Sequence, residues 1–158
     1  MERVKMKIFV DGMLGNIAKW LRLLGLDVFY VSNIDDDELL KLAKGEKGVL
    51  ITKDEELSYK AVKEDTEVIL VKGNHKIDTI KYILEQLKIN TDELKIGSRC
   101  MECNTPLSSI DKSEINSKLP KRILESNDEF WICKKCDKIY WHGSHWRNIE
   151  RELKKILK

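Results

Sequence analysis

Lys7-Ile8-Phe9-Val10-Asp11-Gly12-Met13-Leu14-Gly15-Asn16-Ile17-Ala18-Lys19-Trp20-Leu21-Arg22-Leu23-Leu24-Gly25 is the stretch that decides the fold class. A short apolar run stops at Asp11 and Gly12, which is how a buried strand ends. Ile17, Trp20, Leu21 and Leu24 then recur at i, i+3, i+4 and i+7, one face of a helix, and Gly25 is placed to terminate it. A strand apolar throughout and followed by a helix opens a βα unit, whose sheet is covered on both faces.

The same alternation continues for the first 90 residues. Val28-Phe29-Tyr30-Val31 reads as a second strand, and Asp35-Asp36-Asp37 opens a helix through Leu39, Leu40, Leu42 and Ala43. Acids in a first turn suit the helix dipole. Val49-Leu50-Ile51-Thr52 is a third strand, followed by Asp54 and a helix through Leu57, Ala61 and Val62. Val68-Ile69-Leu70-Val71 is a fourth, closed by Lys72-Gly73-Asn74 and followed by a helix carrying Ile77, Ile80, Ile83, Leu84 and Leu87. Right-handed crossovers make this an α/β fold with a doubly wound, mostly parallel sheet.

Beyond it, residues 89–98 read as a linker or short turn. The four cysteines fall as two pairs, Cys100-Met101-Glu102-Cys103 and Cys133-Lys134-Lys135-Cys136, with 29 residues between them. Two such knuckles suit a tetrahedral Cys₄ structural Zn²⁺; the competing reading of the spacing is a disulfide. The intervening segment, with Pro106 and Pro120, reads as short strands and turns around the metal. From Ser144 a terminal helix runs on, with Trp146, Ile149, Leu153, Ile156 and Leu157 largely on one side. The expected organisation is an α/β domain over 5–95, a C-terminal zinc ribbon over 96–145 and a terminal helix over 146–158.

The composition, 35% charged and 42% hydrophobic, is that of a soluble globular protein. No apolar run approaches the ~20 residues of a membrane span, and the basic N-terminus lacks a signal peptide's apolar stretch. A cytoplasmic location follows, where reduced thiols favour zinc over disulfides. The net charge of +2 divides unevenly: residues 1–95 carry −2 and residues 96–158 carry +4. The basic half suits a polyanion, unless it is ordinary solvated surface.

Ligands of open parallel sheets bind outside the carboxyl ends of the strands. Asp11 lies just past the first strand, Asp35, Asp36 and Asp37 past the second, Asp54 past the third, and Asn74, His75 and Asp78 past the fourth. Crowded carboxylates raise one another's pKa, and a hard cation relieves the repulsion. Oxygen-only ligands indicate Mg²⁺ or Mn²⁺, and two such ions activate water against a phosphodiester. Capping is the structural alternative for Asp35–Asp37 and for Asp54. Asp11, followed by Gly-Met-Leu-Gly, has the weakest capping explanation. The Gly12–Gly15 loop lacks dinucleotide-binding spacing, though it could admit a phosphate. Lys19 and Arg22 are expected on the exposed side of the first helix; Lys53 adjoins Asp54 and Arg99 adjoins Cys100. All four are candidate phosphate contacts, against the alternative of a solvated face.

The segment from Val10 to Gly25 resembles the opening signature of the Mut-7 C-terminal RNase domain family. Leu50-Ile51-Thr52-Lys53-Asp54 is similar to its second signature, the cysteine pairs to its ribbon, and Ile139-Tyr140-Trp141-His142-Gly143-Ser144-His145 to its closing element. Asn16 departs from the pattern, where a basic residue is expected, and the helix after the fourth strand matches poorly. The resemblance implies a PIN-like domain and a metal-dependent ribonuclease acting on RNA, expected single-stranded. It places Asp11 and Asp54 in the acidic site, with one of the Asp35–Asp37 acids; Asp36 and Asp37 are the candidates. His145 is a further nucleic-acid contact candidate. The alternative for the closing element is that Tyr140 and Trp141 pack the ribbon, Ser144 caps the helix and the histidines line an interface. Two other functions remain: an RNA-binding module without catalysis, and a receiver-like phosphoacceptor domain, which wants an acidic pair where Asp11 is followed by glycine.

Overall fold

A computed structural model describes residues 5–157. The chain divides into two compact units, Met1–Asn104 and Thr105–Lys158.

The first unit is built on a four-stranded parallel sheet, β1 (Lys7–Val10), β2 (Asp27–Tyr30), β3 (Val49–Thr52) and β4 (Glu67–Leu70), in the order β2-β1-β3-β4. The connecting helices are α1 (Gly15–Leu23), α2 (Asp36–Gly45) and α3 (Glu55–Lys63); α4 (Lys76–Leu87) follows β4. The strand order carries the chain outward from β1 to β2, then back across β1 to β3 and on to β4. Right-handed crossovers therefore put α1 on one face and α2 and α3 on the other. Contacts follow that division, α1 packing with α4 and α2 with α3.

The two central strands are the most deeply buried. Ile8, Phe9 and Val10 are fully covered, as are Leu50, Ile51 and Thr52. Phe9 and Leu50 face a cluster with Leu39, Leu40, Ala43, Leu57 and Ala61 from α2 and α3. Cutting Phe9 to alanine in such a setting costs about 3–5 kcal/mol. Residues 89–98, expected to be a linker or short turn, hold a turn and pack onto this unit. A 3₁₀ turn at Thr91–Glu93 is followed by Gly97, whose N–H donates to the Leu23 carbonyl at 2.8 Å. Gly25, at φ +92°, ends α1 where a Cβ would collide with the Lys95 backbone.

The second unit holds a three-stranded antiparallel sheet, β5 (Ser108–Ile110), β6 (Phe130–Cys133) and β7 (Lys138–Tyr140), in that order. The segment before β6, expected as strands and turns, also forms two short helices, α5 (Lys112–Ile115) and α6 (Lys121–Ser126). Asp111 starts α5 by accepting the Ser113 N–H, and α6 follows Pro120, whose fixed φ suits a helix start. The long helix α7 (Ser144–Leu157) buries Leu153 and Ile156. Among the described residues no helix is long and apolar enough to cross a membrane.

Candidate functional site

Asp11 and Asp54 follow β1 and β3, the two strands between which the chain reverses its direction of travel through the sheet. A crevice opens outside the strand ends at such a reversal, here between β1 and β3. Phe9 pairs with Leu50 and Val10 with Ile51, so one further step sets Asp11 opposite Thr52. The Asp11 N–H continues the ladder to the Ile51 carbonyl at 3.0 Å. Period-two alternation puts Asp11 on the face of Phe9 and Thr52 on the face of Leu50, the face covered by α2 and α3. The two side chains meet there: Thr52 Oγ1 donates to Asp11 Oδ2 at 2.7 Å, and both residues are buried.

Thr52 has a second role. Its Oγ1 accepts the Asp54 N–H at 3.0 Å and so fixes the start of the next helix. Asp54 caps α3 through Oδ1, which accepts the Glu56 N–H at 2.8 Å and the Leu57 N–H at 3.2 Å. The capping and ligand readings are therefore compatible. Asp11 and Asp54 each commit one carboxylate oxygen to the protein and leave the other without a hydrogen bond among the described residues.

Asp36, in the first turn of α2, joins them electrostatically. Its pKa is raised above the ordinary value, first by burial and then by the negative charges of Asp11, Asp54, Asp35 and Asp37. Asp37 is exposed and pairs with Lys60 at 3.6 Å, and Asp35 is the N-cap residue of α2 without a side-chain cap bond. The oxygen donors suit a hard divalent cation, and the repulsion felt by Asp36 is the strain such an ion removes.

The loop after Asp11 is closed by protein atoms. A Cβ on Gly12 would lie 2.6 Å from the Ser32 carbonyl oxygen, and one on Gly15 would lie 2.7 Å from the Tyr30 hydroxyl. That hydroxyl donates to the Gly12 carbonyl at 2.7 Å. The two glycines admit the chain's own β2–α2 connection and Tyr30, which explains their smallness without a phosphate.

The cysteines form a second, tighter set. Their four sulfurs lie within 4.8 Å of one another, and none is disulfide-bonded. A tetrahedron with Zn–S bonds of about 2.3 Å has edges of roughly 3.8 Å, so the set fits zinc. Among the described residues it is the set of three or more metal-ligating side chains drawn that close; the acids are looser, and neither His142 nor His145 joins the sulfurs.

The two knuckles share one backbone design. The Asn104 N–H donates to the Cys100 carbonyl at 2.8 Å, and the Asp137 N–H to the Cys133 carbonyl at 2.7 Å. Each turn ends on a left-handed residue, Asn104 at φ +74° and Asp137 at φ +61°. Asn and Asp enter that region more readily than other non-glycine residues. The signal was present in the sequence, as Cys-x-x-Cys-Asn and Cys-x-x-Cys-Asp.

Arg22 departs most from expectation. It is not on an exposed face: it is 5% exposed, with Nε donating to the Val28 carbonyl at 3.1 Å and Nη1 to the Met101 and Glu102 carbonyls at 3.1 and 3.0 Å. Burial lowers its pKa, while Cys103, Cys100, Glu102 and Asp27 act to raise it. Asn104 completes the link between the first knuckle and β2. Its Oδ1 accepts the Val28 N–H at 2.9 Å, and its Nδ2 donates to Asp27 at 2.7 Å. Arg99 belongs to the same assembly, donating to the Asn104 carbonyl at 2.8 Å.

The remaining basic candidates lie at the surface. Lys19 pairs with Glu102 at 3.5 Å, and Lys53 donates to Asn74 Oδ1 at 3.0 Å. His145 is exposed in the first turn of α7. His142 is stacked with Trp131 at 4.6 Å and with Trp146 at 3.9 Å. Burial lowers its pKa, against the opposing pull of Glu129 and Glu150. Trp141 packs 6.4 Å from Phe130, and a Cβ on Gly143 would press on its indole at 2.9 Å.

No curated protein and no solved structure matches this sequence. The Mut7-C RNAse domain pattern matches residues 6–153, spanning β1, both cysteine pairs and most of α7, and the chain belongs to that family.

Proposed function

We propose that this protein is a PIN-like, divalent-metal-dependent ribonuclease that hydrolyses RNA phosphodiester bonds at the β1/β3 crevice. The reading is supported by Thr52, whose Oγ1 donates to Asp11 at 2.7 Å and accepts the Asp54 N–H at 3.0 Å, and by the charges of Asp11 and Asp54 that both act on Asp36. Asp11 Oδ1 and Asp54 Oδ2 would hold Mg²⁺ or Mn²⁺, with Asp36 as a third donor whose repulsion from the other acids the cation would relieve. When bound, the cation supplies positive charge for the attacking and leaving oxygens of the phosphodiester. Thr52 locks Asp11, and the α3 amides lock Asp54, so the donors are held before substrate arrives. Asp37, engaged with Lys60, stands at the outer edge.

In this reading the cysteines hold a structural Zn²⁺, closed to substrate, in a ribbon that positions single-stranded RNA. Lys19, Lys53, Arg99 and His145 supply backbone contacts, whereas Arg22 is retained as a structural cation. Thiolates persist where thiols stay reduced, which fits the cytoplasm. The test is cleavage of a labelled single-stranded RNA with Mn²⁺. The purified protein should cut, EDTA should abolish cutting, and Asp11→Asn and Asp54→Asn should lose it; equal cutting by both variants would sink the reading.

The looser spacing of the acids favours one second reading, an RNA-binding module without catalysis. Tight RNA binding with no Mn²⁺-dependent cleavage would select it.

A further inference from the structure

An open groove of about 490 Å³ runs along the outer side of the sheet at β4, lined by Leu70, Val71 and Lys72 on one wall and by His75, Asp78 and Tyr82 of the α4 segment on the other. Asp78 is not among the charges that act on Asp36. His75, Asp78 and Tyr82 are spaced i, i+3 and i+7, so they share one face of the helical segment. Tyr82 is 42% exposed, and among the described residues it stacks on no other aromatic. The walls combine an apolar floor, an aromatic face and a lysine, which are the components of a single-strand binding platform.

The β4 side of the groove is tied by backbone and side-chain hydrogen bonds to the strand end that carries Thr52 and Asp54. The Val71 N–H donates to the Thr52 carbonyl at 2.9 Å, and Thr52 holds Asp11. Strands lie about 4.8 Å apart, so the end of β4 is roughly 10 Å from the end of β1 across the sheet. Between them, Lys53 donates to Asn74, tying the loop that carries Asp54 to the loop that forms the groove's upper rim. A strand lying across the crevice would meet this rim next.

We propose that this groove is a substrate subsite for single-stranded RNA, in which Tyr82 stacks a base and Lys72 pairs with the adjoining phosphate. Asp78, the one carboxylate in the lining, serves as acceptor for an exocyclic amine or a 2′-hydroxyl. The proposal rests on the nuclease reading for its substrate class, but binding can be measured without cleavage.

The probe is a fluorescein-labelled ten-nucleotide RNA, titrated by anisotropy in EDTA against the full chain carrying Asp11→Asn. Tyr82→Ala in that background should weaken binding by about 5- to 160-fold, the span of one lost base stack. Tyr82→Phe should bind within twofold of the parent, because stacking needs no hydroxyl. Lys72→Gln should lower the slope of log affinity against log salt by about 0.7, one phosphate contact on a single strand. Tyr59→Ala, at an exposed ring on α3 that Lys63 already covers at 4.8 Å, is the control and should change nothing. Unchanged affinity in Tyr82→Ala, an equal loss in Tyr59→Ala, or no RNA binding by the parent each overturns the proposal and leaves the groove to a protein or small-molecule occupant. Binding that depends on Tyr82 in a protein that never cleaves RNA would break the nuclease reading and keep the subsite. Wild-type kcat/KM for Tyr82→Ala in the protein that retains Asp11 would keep the nuclease reading and overturn the subsite.

Discussion

The sulfur set and the oxygen set solve the same electrostatic problem by different routes. The four cysteines come from two short turns of one design, each closed by a backbone hydrogen bond and a left-handed Asn or Asp. Their sulfurs lie within 4.8 Å of one another, so little rearrangement is needed to close a tetrahedron. The acids come from the ends of different strands and the starts of different helices, and each of the two best placed is half committed to the protein. A closed set of soft donors suits a structural ion; an open set of hard donors leaves room for substrate.

The largest effect that would sharpen this contrast is loss of the sulfur set. Structural zinc contributes on the order of 10 kcal/mol in small zinc domains. Cys133→Ser should therefore drop zinc content from one per chain to near zero, by elemental analysis, and open the second unit to limited proteolysis. A variant that stays zinc-loaded and resistant would end the comparison. Asp11→Asn should do the opposite, lowering Mn²⁺-dependent cleavage by about 10²- to 10³-fold, the scale of one lost preorganised electrostatic group. Its zinc content and circular dichroism should stay unchanged.

Arg22 tests whether the two sets are independent. Its guanidinium spans β2 and the first knuckle, so Arg22→Gln removes charged hydrogen bonds worth about 2–4 kcal/mol and leaves buried carbonyls unpaired. We expect a lower Tm together with faster zinc loss to a chelator. A lower Tm with unchanged zinc release would confine Arg22 to the α/β unit.

The smallest effect concerns Asp36. Its folded pKa is raised, so the native state holds this proton more tightly than the unfolded chain does. The penalty for ionising it is absent below the unfolded carboxylate pKa and complete above the folded one. Asp36→Asn should raise Tm slightly at pH 7 without added divalent cation and make no difference near pH 3. A lower Tm at pH 7 would mean that Asp36 is not under repulsion.

The strands and helices were legible because their periods differ. Lys7–Val10 and Val49–Thr52 are strands with the bounds read from the sequence, and Gly25 ends the first helix as expected. The knuckle spacing pointed to the four-sulfur set before the sulfurs were seen together. Arg22 was misread because helical periodicity identifies a face but not its cover. The face opposite the core helix stripe is solvent only if no later segment returns to it, and residues 101 and 102 do return. Residues 89–98, read as a linker or short turn, do hold a turn, but their polar composition hid its backbone contacts to Gly25 and Leu23.

The sequence by itself determined the βα alternation, the acids at the strand ends, the cysteine set and the family resemblance, because each is written in spacing along the chain. Only the tertiary structure decided which strand-end side chains meet. That depended on the strand order β2-β1-β3-β4, which sets β1 beside β3, and on the register that brings Thr52 to Asp11. Strand order is a property of how crossovers pack on the sheet, and no local period encodes it.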